Sequence, residues 1–359
     1  MVHRRQANAV ALAVAVVLSA VLAAQKKDDK KQDEWQKKEL AAAQKLADDL
    51  NAGTAPPAND LGLTWLHEDF IKAQSNKEYV PFIVSIEPAK VASGKMTLYW
   101  RVVSKDGPPP PDAKAAPAGK KDDKKDKDKN AAPQYAWEDV GYDVPVPVPA
   151  PGASGPVRLS RAFSVPAGTY DVYIVAKEPT SSQKGAPPAK AAAVKRTVIV
   201  PDFWNGELNT SSVILAQRMD PLPAPLTPQQ QTDRPYALGL TEILPQLDMK
   251  FSKKAELQPV FFIYNPKLDT ANKPDVVVEY NFYTRTAGAE KFFNHTSPQN
   301  WNAQTLPQFD AAAGHQIPGG LAIGLASFPE GDYRLEIKVT DNISKKTLTR
   351  DINFTVTAS

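Results

Sequence analysis

The chain has 359 residues, which is enough for two domains of ordinary size. Its 43 basic residues are nearly balanced by 40 acidic ones, and a net charge of +3 argues against a nucleic-acid-binding protein, because such proteins gather basic residues on one face. The absence of cysteine excludes disulfides, thiolate nucleophiles and cysteine metal ligands, while 33 prolines favour short strands with rigid turns.

Residues 1–24 have the pattern of a secretory signal peptide. A positively charged start is followed by a short apolar stretch over residues 9–22 and then by the small residues Ala23 and Ala24. Because the stretch is short for a bilayer span, we expect cleavage, a secreted or periplasmic location and no stable membrane span afterwards. Retention of this segment as a membrane anchor is the alternative.

An amphipathic helix is predicted next, within a helix-and-linker region over residues 25–58. Apolar side chains recur at near-helical spacing among lysines and aspartates, and Gly53 and Pro56 end the pattern. A second short helix is predicted over residues 63–73. The residues that mark the apolar face of the first helix are Trp35, Leu40, Ala43, Leu46 and Leu50.

The most informative feature is an internal repeat of predicted strands. Residues 81–88 and 259–266 are apolar segments of equal length, each bracketed by prolines, and each is followed by a second predicted strand. The second strands cover residues 96–103 and 276–283. A closing strand ends each copy, at residues 196–200 and 350–356.

A Pro-x-Gly-x-Tyr turn occurs in both copies, at residues 166–170 and 329–333. The strand after each turn alternates in the same phase, which predicts one buried face. Tyrosine at such a corner buries its ring while its hydroxyl reaches a backbone partner. The residues expected on the buried faces are Tyr170, Val172, Ile174 and Ala176 in the first copy and Tyr333, Leu335, Ile337 and Val339 in the second.

These observations predict an all-β protein with two immunoglobulin-like β-sandwich domains as an internal repeat, preceded by the signal and the short helix. The first domain is expected over residues 59–200, with a disordered Lys/Asp/Pro-rich insert at 105–134. A Pro-rich linker is expected at 201–235, and the second domain at 236–359.

Motifs of catalysis and metal binding are not found. His67, His295 and His315 have no metal-site partner at a recognisable spacing, and there is no Gly-x-Ser-x-Gly elbow. Gly319 and Gly320 fit a turn before a strand better than a phosphate loop. We therefore expect no enzyme activity, no cofactor and no metal, with a hydrolase site assembled from residues distant in sequence as the alternative.

A polar loop of the second copy, residues 284–317, carries the candidate ligand-binding residues. Aromatic rings beside amide side chains bind sugars or peptides, because rings stack and amides orient the ligand. The alternative is that the rings fold back and cover an edge of the sandwich. The four candidates are Phe292, Phe293, Trp301 and Phe309.

Several runs resemble the C-terminal β-rich region of uncharacterised secreted proteins from Acidobacteria-like bacteria. The runs are residues 78–82, 208–216, 304–307 and 326–341. Some relatives of those proteins carry a von Willebrand factor A-related domain, but this chain lacks the Asp-x-Ser-x-Ser motif, so metal-dependent adhesion is not implied. The resemblance implies a fold and a compartment rather than an activity.

The function expected from the sequence is that of a non-enzymatic, secreted or periplasmic structural or protein-interaction protein. Its expected partner is another envelope or extracellular protein, and no nucleic acid. The alternative is a carbohydrate- or peptide-binding module that uses the aromatic loop, with a glycan as one ligand class. Pairing of exposed sandwich edges between two chains would give a dimer.

Overall fold

A computed structural model describes residues 30–54, 59–107, 135–147, 155–181, 183, 185–286 and 288–358. The predicted signal peptide and most of the predicted insert at 105–134 lie outside the described residues. Strands dominate the fold, which is all-β apart from helix α1 at residues 30–51, the short helix α2 at Pro228–Asp233 and a 3-10 turn at Pro88–Lys90.

Strands of the first half of the chain are β1 (Thr64–Glu68), β2 (Ile71–Lys72), β3 (Glu78–Ile86), β4 (Lys95–Ser104), β5 (Trp137–Pro145), β6 (Val157–Val165), β7 (Gly168–Lys177) and β8 (Ala191–Val200). Strands of the second half are β9 (Asn209–Thr210), β10 (Ile214–Pro221), β11 (Ala237–Leu238), β12 (Thr241–Pro245), β13 (Lys250–Ser252), β14 (Glu256–Tyr264), β15 (Val276–Thr286), β16 (Ala289–His295), β17 (Gln299–Trp301), β18 (Ile317–Gly320), β19 (Ile323–Gly324), β20 (Gly331–Asp341) and β21 (Thr347–Thr357).

The first half folds into two facing sheets. In one sheet β3 is central, with β1 and β2 on one side and β6 on the other; the second sheet has the order β5-β4-β7-β8. A continuous apolar core, which includes Phe82, Trp100 and Phe163, fills the space between the sheets. The alternation of apolar residues in these strands directs one face of each sheet into that core.

The second half repeats this arrangement with additional strands. Strand β14 is central in one sheet, with β9 and β10 on one side and β18 and β19 on the other; β10 continues through β12 to β11. The facing sheet has the order β13-β21-β20-β15-β16, and β17 also pairs with β15. A second apolar core, which includes Phe261, Tyr280 and Phe282, lies between these two sheets.

The strand pairing is similar in the two halves of the chain. Each half places its proline-bracketed strand, β3 or β14, between two earlier strands on one side and later strands on the other, and the last two strands are neighbours in the facing sheet. The phase predicted for the strands after the Pro-x-Gly-x-Tyr turns is confirmed, since all eight residues expected to face inward are buried. The Tyr170 hydroxyl donates to the Pro166 carbonyl over 2.9 Å, and the Tyr333 hydroxyl donates to the Pro329 carbonyl over 2.8 Å.

Helix α1 packs on the outer face of the β5-β4-β7-β8 sheet. Ala43 and Ala47 are fully buried against Tyr99, Tyr173 and Val175. Small residues at this spacing let the helix backbone approach the sheet closely, while leucines on either side widen the apolar contact. The predicted amphipathic helix is thereby confirmed for its described part.

The predicted second helix at residues 63–73 was wrong. These residues form β1 and β2, which pair with β3 in antiparallel register. The backbone hydrogen bonds that the edge of β3 offers decide the conformation of this short segment.

The predicted linker at residues 201–235 also differs from the structure. Strands β9 and β10 lie inside this range and belong to the second pair of sheets. A small apolar cluster that includes Ile83 of the first half and Ile214 and Ile243 of the second half joins the outer faces of the two sandwiches. The sandwiches therefore pack on each other directly, and the region between them is not an extended spacer.

Gly319 and Gly320 lie in strand β18 rather than in a turn before a strand. A Cβ atom on Gly319 would lie 2.3 Å from the Phe261 ring, and one on Gly320 would lie 2.3 Å from the Pro259 carbonyl oxygen. These two positions therefore require glycine because β14 approaches β18 too closely for any side chain.

Among the described residues, no helix has the length and apolar character needed to cross a membrane.

Candidate functional site

The four aromatic candidates do not form one surface. Phe309 is buried, and Phe293 and Trp301 are partly buried against the second core, so only Phe292 is largely exposed. Phe292 lies opposite Tyr283 of β15, and Trp301 lies opposite Val276 of the same strand. These two positions of β15 are seven residues apart, which corresponds to roughly 23 Å along the strand. Most of these rings cover the edge of the sandwich, which was the alternative interpretation of the loop.

Trp301→Ala is therefore expected to lower stability. Its ring is half-buried against the second core, so truncation should cost about 1–2 kcal/mol. The midpoint of thermal unfolding should fall by several degrees, whereas the matched variant Phe292→Ala, whose ring is 51% exposed, should leave it nearly unchanged. An unchanged midpoint of thermal unfolding in Trp301→Ala would show that the ring does not pack on the second core and is accessible to a ligand.

One cavity lies at one end of the second sandwich. It has a volume of about 580 Å³ and is lined by polar residues that include Arg285, Glu290 and Asp332. Its basic side chain Arg285 is already paired with Glu290 at 3.2 Å. The charge in this cavity is thus largely satisfied within the protein, which makes it a weaker candidate.

The second cavity is a cleft at the junction of the two sandwiches, and it is the candidate site. It has a volume of about 330 Å³ and combines residues of β2, the segment after β8, the end of β14 and the segment before β18. We call it the junction cleft. Its polar and aromatic lining includes Lys72, Trp204, Tyr264, Asn265, His315 and Gln316. Ligand sites occur preferentially at domain interfaces of this kind.

Lys72 is the basic side chain of the junction cleft. Its Nζ donates to Asn265 Oδ1 over 2.9 Å and lies 4.2 Å from the centre of the Trp204 ring. The Tyr264 ring lies on a further side, 5.9 Å from the same nitrogen, and the Tyr264 hydroxyl accepts from the Lys72 backbone N–H. Burial lowers the pKa of Lys72 from its ordinary value. The ammonium is thus positioned by contacts from both sandwiches.

Glu78 lies beside Lys72 on the neighbouring strand. The two residues are direct partners in the β2–β3 pairing, so their side chains project from the same face of the sheet. Glu78 is fully buried; its Oε1 accepts from the Phe203 backbone N–H over 3.0 Å, and its Oε2 has no partner among the described residues. Burial raises the pKa of this carboxyl group to about 7.

The stability of the protein should depend on the protonation of Glu78. Its pKa is raised from 4.5 to about 7, so the native protein retains a proton that the unfolded chain loses in this window. The stability contributed by this proton is fully present below the ordinary pKa of 4.5 and is lost as the pH rises through about 7. We expect Glu78→Gln to be more stable than the natural protein at pH 8 by about 2–3 kcal/mol, and similar to it near pH 4.5.

This pH effect is measured by urea unfolding at pH 4.5 and pH 8. The groups that act on Glu78 are Lys72, Asp202 and the Phe203 amide. His67 is the needed control. Burial lowers its pKa, but the hydrogen bond and charge of Asp69 outweigh burial and raise the pKa above its ordinary value. The stability that His67 contributes is therefore also lost as the pH rises. His67→Gln should leave the Glu78 effect intact, and an equal pH slope in the natural protein and Glu78→Gln would contradict the assignment.

The histidines do not converge on one site. His67 Nε2 lies 3.0 Å from Asp69 Oδ2, which also accepts from the Tyr236 hydroxyl over 2.9 Å, so this buried cluster joins the two sandwiches. His315 lines the junction cleft, whereas His295 lies beside Phe292 on β16. The described part of the chain holds no group of three or more potential metal ligands.

No protein-family model matches this chain, and no curated protein matches it.

The junction cleft was not predicted from the sequence. Its main side chains, Lys72, Trp204 and Tyr264, are far apart in the chain and meet only when the two sandwiches pack on each other. Trp204 offered the one local signal, since a tryptophan in the polar turn Asp202–Gly206 is an aromatic residue outside any predicted strand.

Proposed function

We propose that this chain is a secreted or periplasmic, non-enzymatic binding protein built from two immunoglobulin-like domains. Its partner in this proposal is another envelope or extracellular protein, a segment of which enters the junction cleft. The observation that carries the proposal is the cleft itself, where Lys72 and Trp204 face a cavity shared by both sandwiches.

The immunoglobulin-like assignment is supported by the strand order and the corner tyrosines. Both copies have a central early strand in one sheet and the last two strands adjacent in the other. Tyr170 and Tyr333 each donate to the carbonyl four residues earlier, at the start of the penultimate strand. A tyrosine corner near this point is a feature of immunoglobulin domains.

The extracytoplasmic location is supported by the N-terminal sequence. Residues 1–24 combine a basic start with a short apolar stretch and small residues, and the 359-residue chain contains no cysteine that export would oxidise. Detection of the processed N-terminus in the periplasmic or secreted fraction of the native cells tests this part of the proposal.

Site-specific photocrosslinking in the native cells tests the binding role. A photoreactive residue at Gln74, an exposed position that lines the cleft, should capture one reproducible extracytoplasmic protein, identified by mass spectrometry. The control position is Ser93, which is exposed in the turn between β3 and β4 and does not line the cleft. Capture of the same proteins from both positions, or of none from Gln74, would overturn the proposal.

A further inference from the structure

Lys72 carries a positive charge that the protein does not pair. Among the described residues Lys72 forms no ion pair; its Nζ donates to Asn265 Oδ1, and Glu78 and Asp202 act on it through space. In the cavity at the end of the second sandwich, by contrast, Arg285 is paired with Glu290. The junction cleft therefore presents a cation without a direct ion-pair partner among the described residues. Because the ammonium is partly removed from water, its attraction for an anionic ligand group is stronger there than at an open surface.

The contacts of the ammonium leave hydrogen-bonding capacity for a ligand. An ammonium has three N–H donors; one is used by Asn265 Oδ1, while the Trp204 ring covers another side of the group. These contacts hold the nitrogen in position without neutralising it. A ligand oxygen that accepted a remaining donor would form a charge-assisted hydrogen bond, which is the stronger kind.

The other walls of the cleft are partly apolar. Leu268, Ile263 and Phe309 contribute apolar side chains, and the cavity of about 330 Å³ is at the small end of ligand sites. Gln316 donates to the Lys72 backbone carbonyl over 3.3 Å and so ties the second-sandwich wall to β2. The shape and composition suit one small apolar side chain beside one anionic group.

We propose that the junction cleft binds the C-terminal residue of a polypeptide, with Lys72 pairing the terminal carboxylate and the apolar wall accepting the last side chain. This inference rests on the proposed function, since it names the part of the partner protein that enters the cleft.

A single lysine favours a carboxylate over a phosphate group. Phosphate sites usually combine several cations or a bidentate arginine, and the cleft contains Lys72 without an arginine. A terminal carboxylate carries one charge, which matches the one ammonium. The neighbouring apolar wall then adds affinity that a small hydrophilic anion would not gain.

The test uses the full chain and two dipeptides, N-acetyl-Leu-Leu with a free carboxylate and its C-terminal amide. Binding is followed by the NMR signal of the Trp204 indole N–H, which donates to the Lys77 carbonyl at the cleft; a Trp204→Phe spectrum assigns it. We expect the acid to bind at least about tenfold more tightly than the amide. Lys72→Gln should abolish this difference, and Lys72→Arg should retain it.

Equal binding of acid and amide, binding of neither, or an unchanged preference in Lys72→Gln would overturn the carboxylate assignment. Tighter binding of isovalerate than of the dipeptide acid would also overturn it, because a free small carboxylate would then be the better ligand. Thermal unfolding of Lys72→Gln shows whether the variant is folded. If crosslinking from Gln74 persists while the acid preference is absent, the proposed function stands and only this inference fails.

Discussion

Replacement of Glu39 by alanine should release helix α1 from the first sandwich. Glu39 is fully buried, and its Oε2 lies 2.6 Å from Lys177 Nζ on β7, which is itself 7% exposed. The variant would leave a buried ammonium without its counter-ion. Removal of one partner from a buried pair costs about 3–5 kcal/mol, a large part of the stability of an ordinary domain.

Neighbouring bonds show how closely this pair is enclosed. Glu39 Oε1 accepts from the Thr180 backbone N–H, and Lys177 Nζ also donates to the Glu178 carbonyl and to Thr180 Oγ1. Burial by itself raises the pKa of Glu39, but the bonds from Lys177 and Thr180 outweigh it and lower the pKa below its ordinary value. The carboxylate is thus charged in the native protein and serves as the counter-ion of Lys177.

Glu39→Ala should increase local detachment of helix α1 as well as lower the free energy of global unfolding. Because α1 packs on the outside of a sheet, it can detach while the sandwich core stays folded. Hydrogen exchange of the α1 amides and urea unfolding together measure both processes. A matched control is Lys45→Ala, which breaks the exposed Lys45–Asp49 pair of the same helix and should cost less than about 0.5 kcal/mol.

The double variant Glu39→Met, Lys177→Met separates charge from packing. Replacing both ions by apolar side chains removes the desolvation cost, so much of the lost stability should return. If Glu39→Ala changes α1 exchange no more than Lys45→Ala does, the pair does not hold the helix on the sheet.

Local pattern was sufficient to predict the repeated strands. The proline-bracketed segments, the strands after them and the Pro-x-Gly-x-Tyr corners each contain their own alternation and turn residues, so the faces of β7 and β20 followed from the residues themselves. Helix α1 was predictable for the same reason, since its apolar residues from Trp35 to Leu50 recur at helical spacing over about four turns.

The elements that were missed depend on neighbours distant in sequence. Strands β1 and β9 are short and gain their hydrogen bonds only from β3 and β14, so no local period identifies them. The junction cleft depends on one further step, the packing of two sandwiches through residues such as Ile83 and Ile214. The residue pattern predicts the strands of each sandwich, but it does not indicate which surfaces of the two sandwiches pack on each other.

Phe82→Ala should be among the most destabilising substitutions in the chain. Phe82 is fully buried in the first core, where its ring stacks on Trp65 at a centroid distance of 5.0 Å and contacts Trp100 and Phe163 at 6.2 and 6.1 Å. Truncation removes these contacts and leaves a cavity that three bulky neighbours cannot easily fill. The expected cost is about 3–5 kcal/mol, measured by urea unfolding.

The matched control for Phe82→Ala is Ile199→Ala on β8 of the same sandwich. Ile199 is 73% exposed, so its truncation should change stability by less than about 0.5 kcal/mol. Phe82→Leu refines the comparison, because leucine keeps part of the volume and should recover part of the loss. Since both sandwiches contact each other through the outer face of β3, whose Ile83 adjoins Phe82, a single cooperative transition in Phe82→Ala would mean that the two sandwiches unfold together. Two separate transitions, with only the first displaced, would instead mean that the junction contributes less free energy than either core.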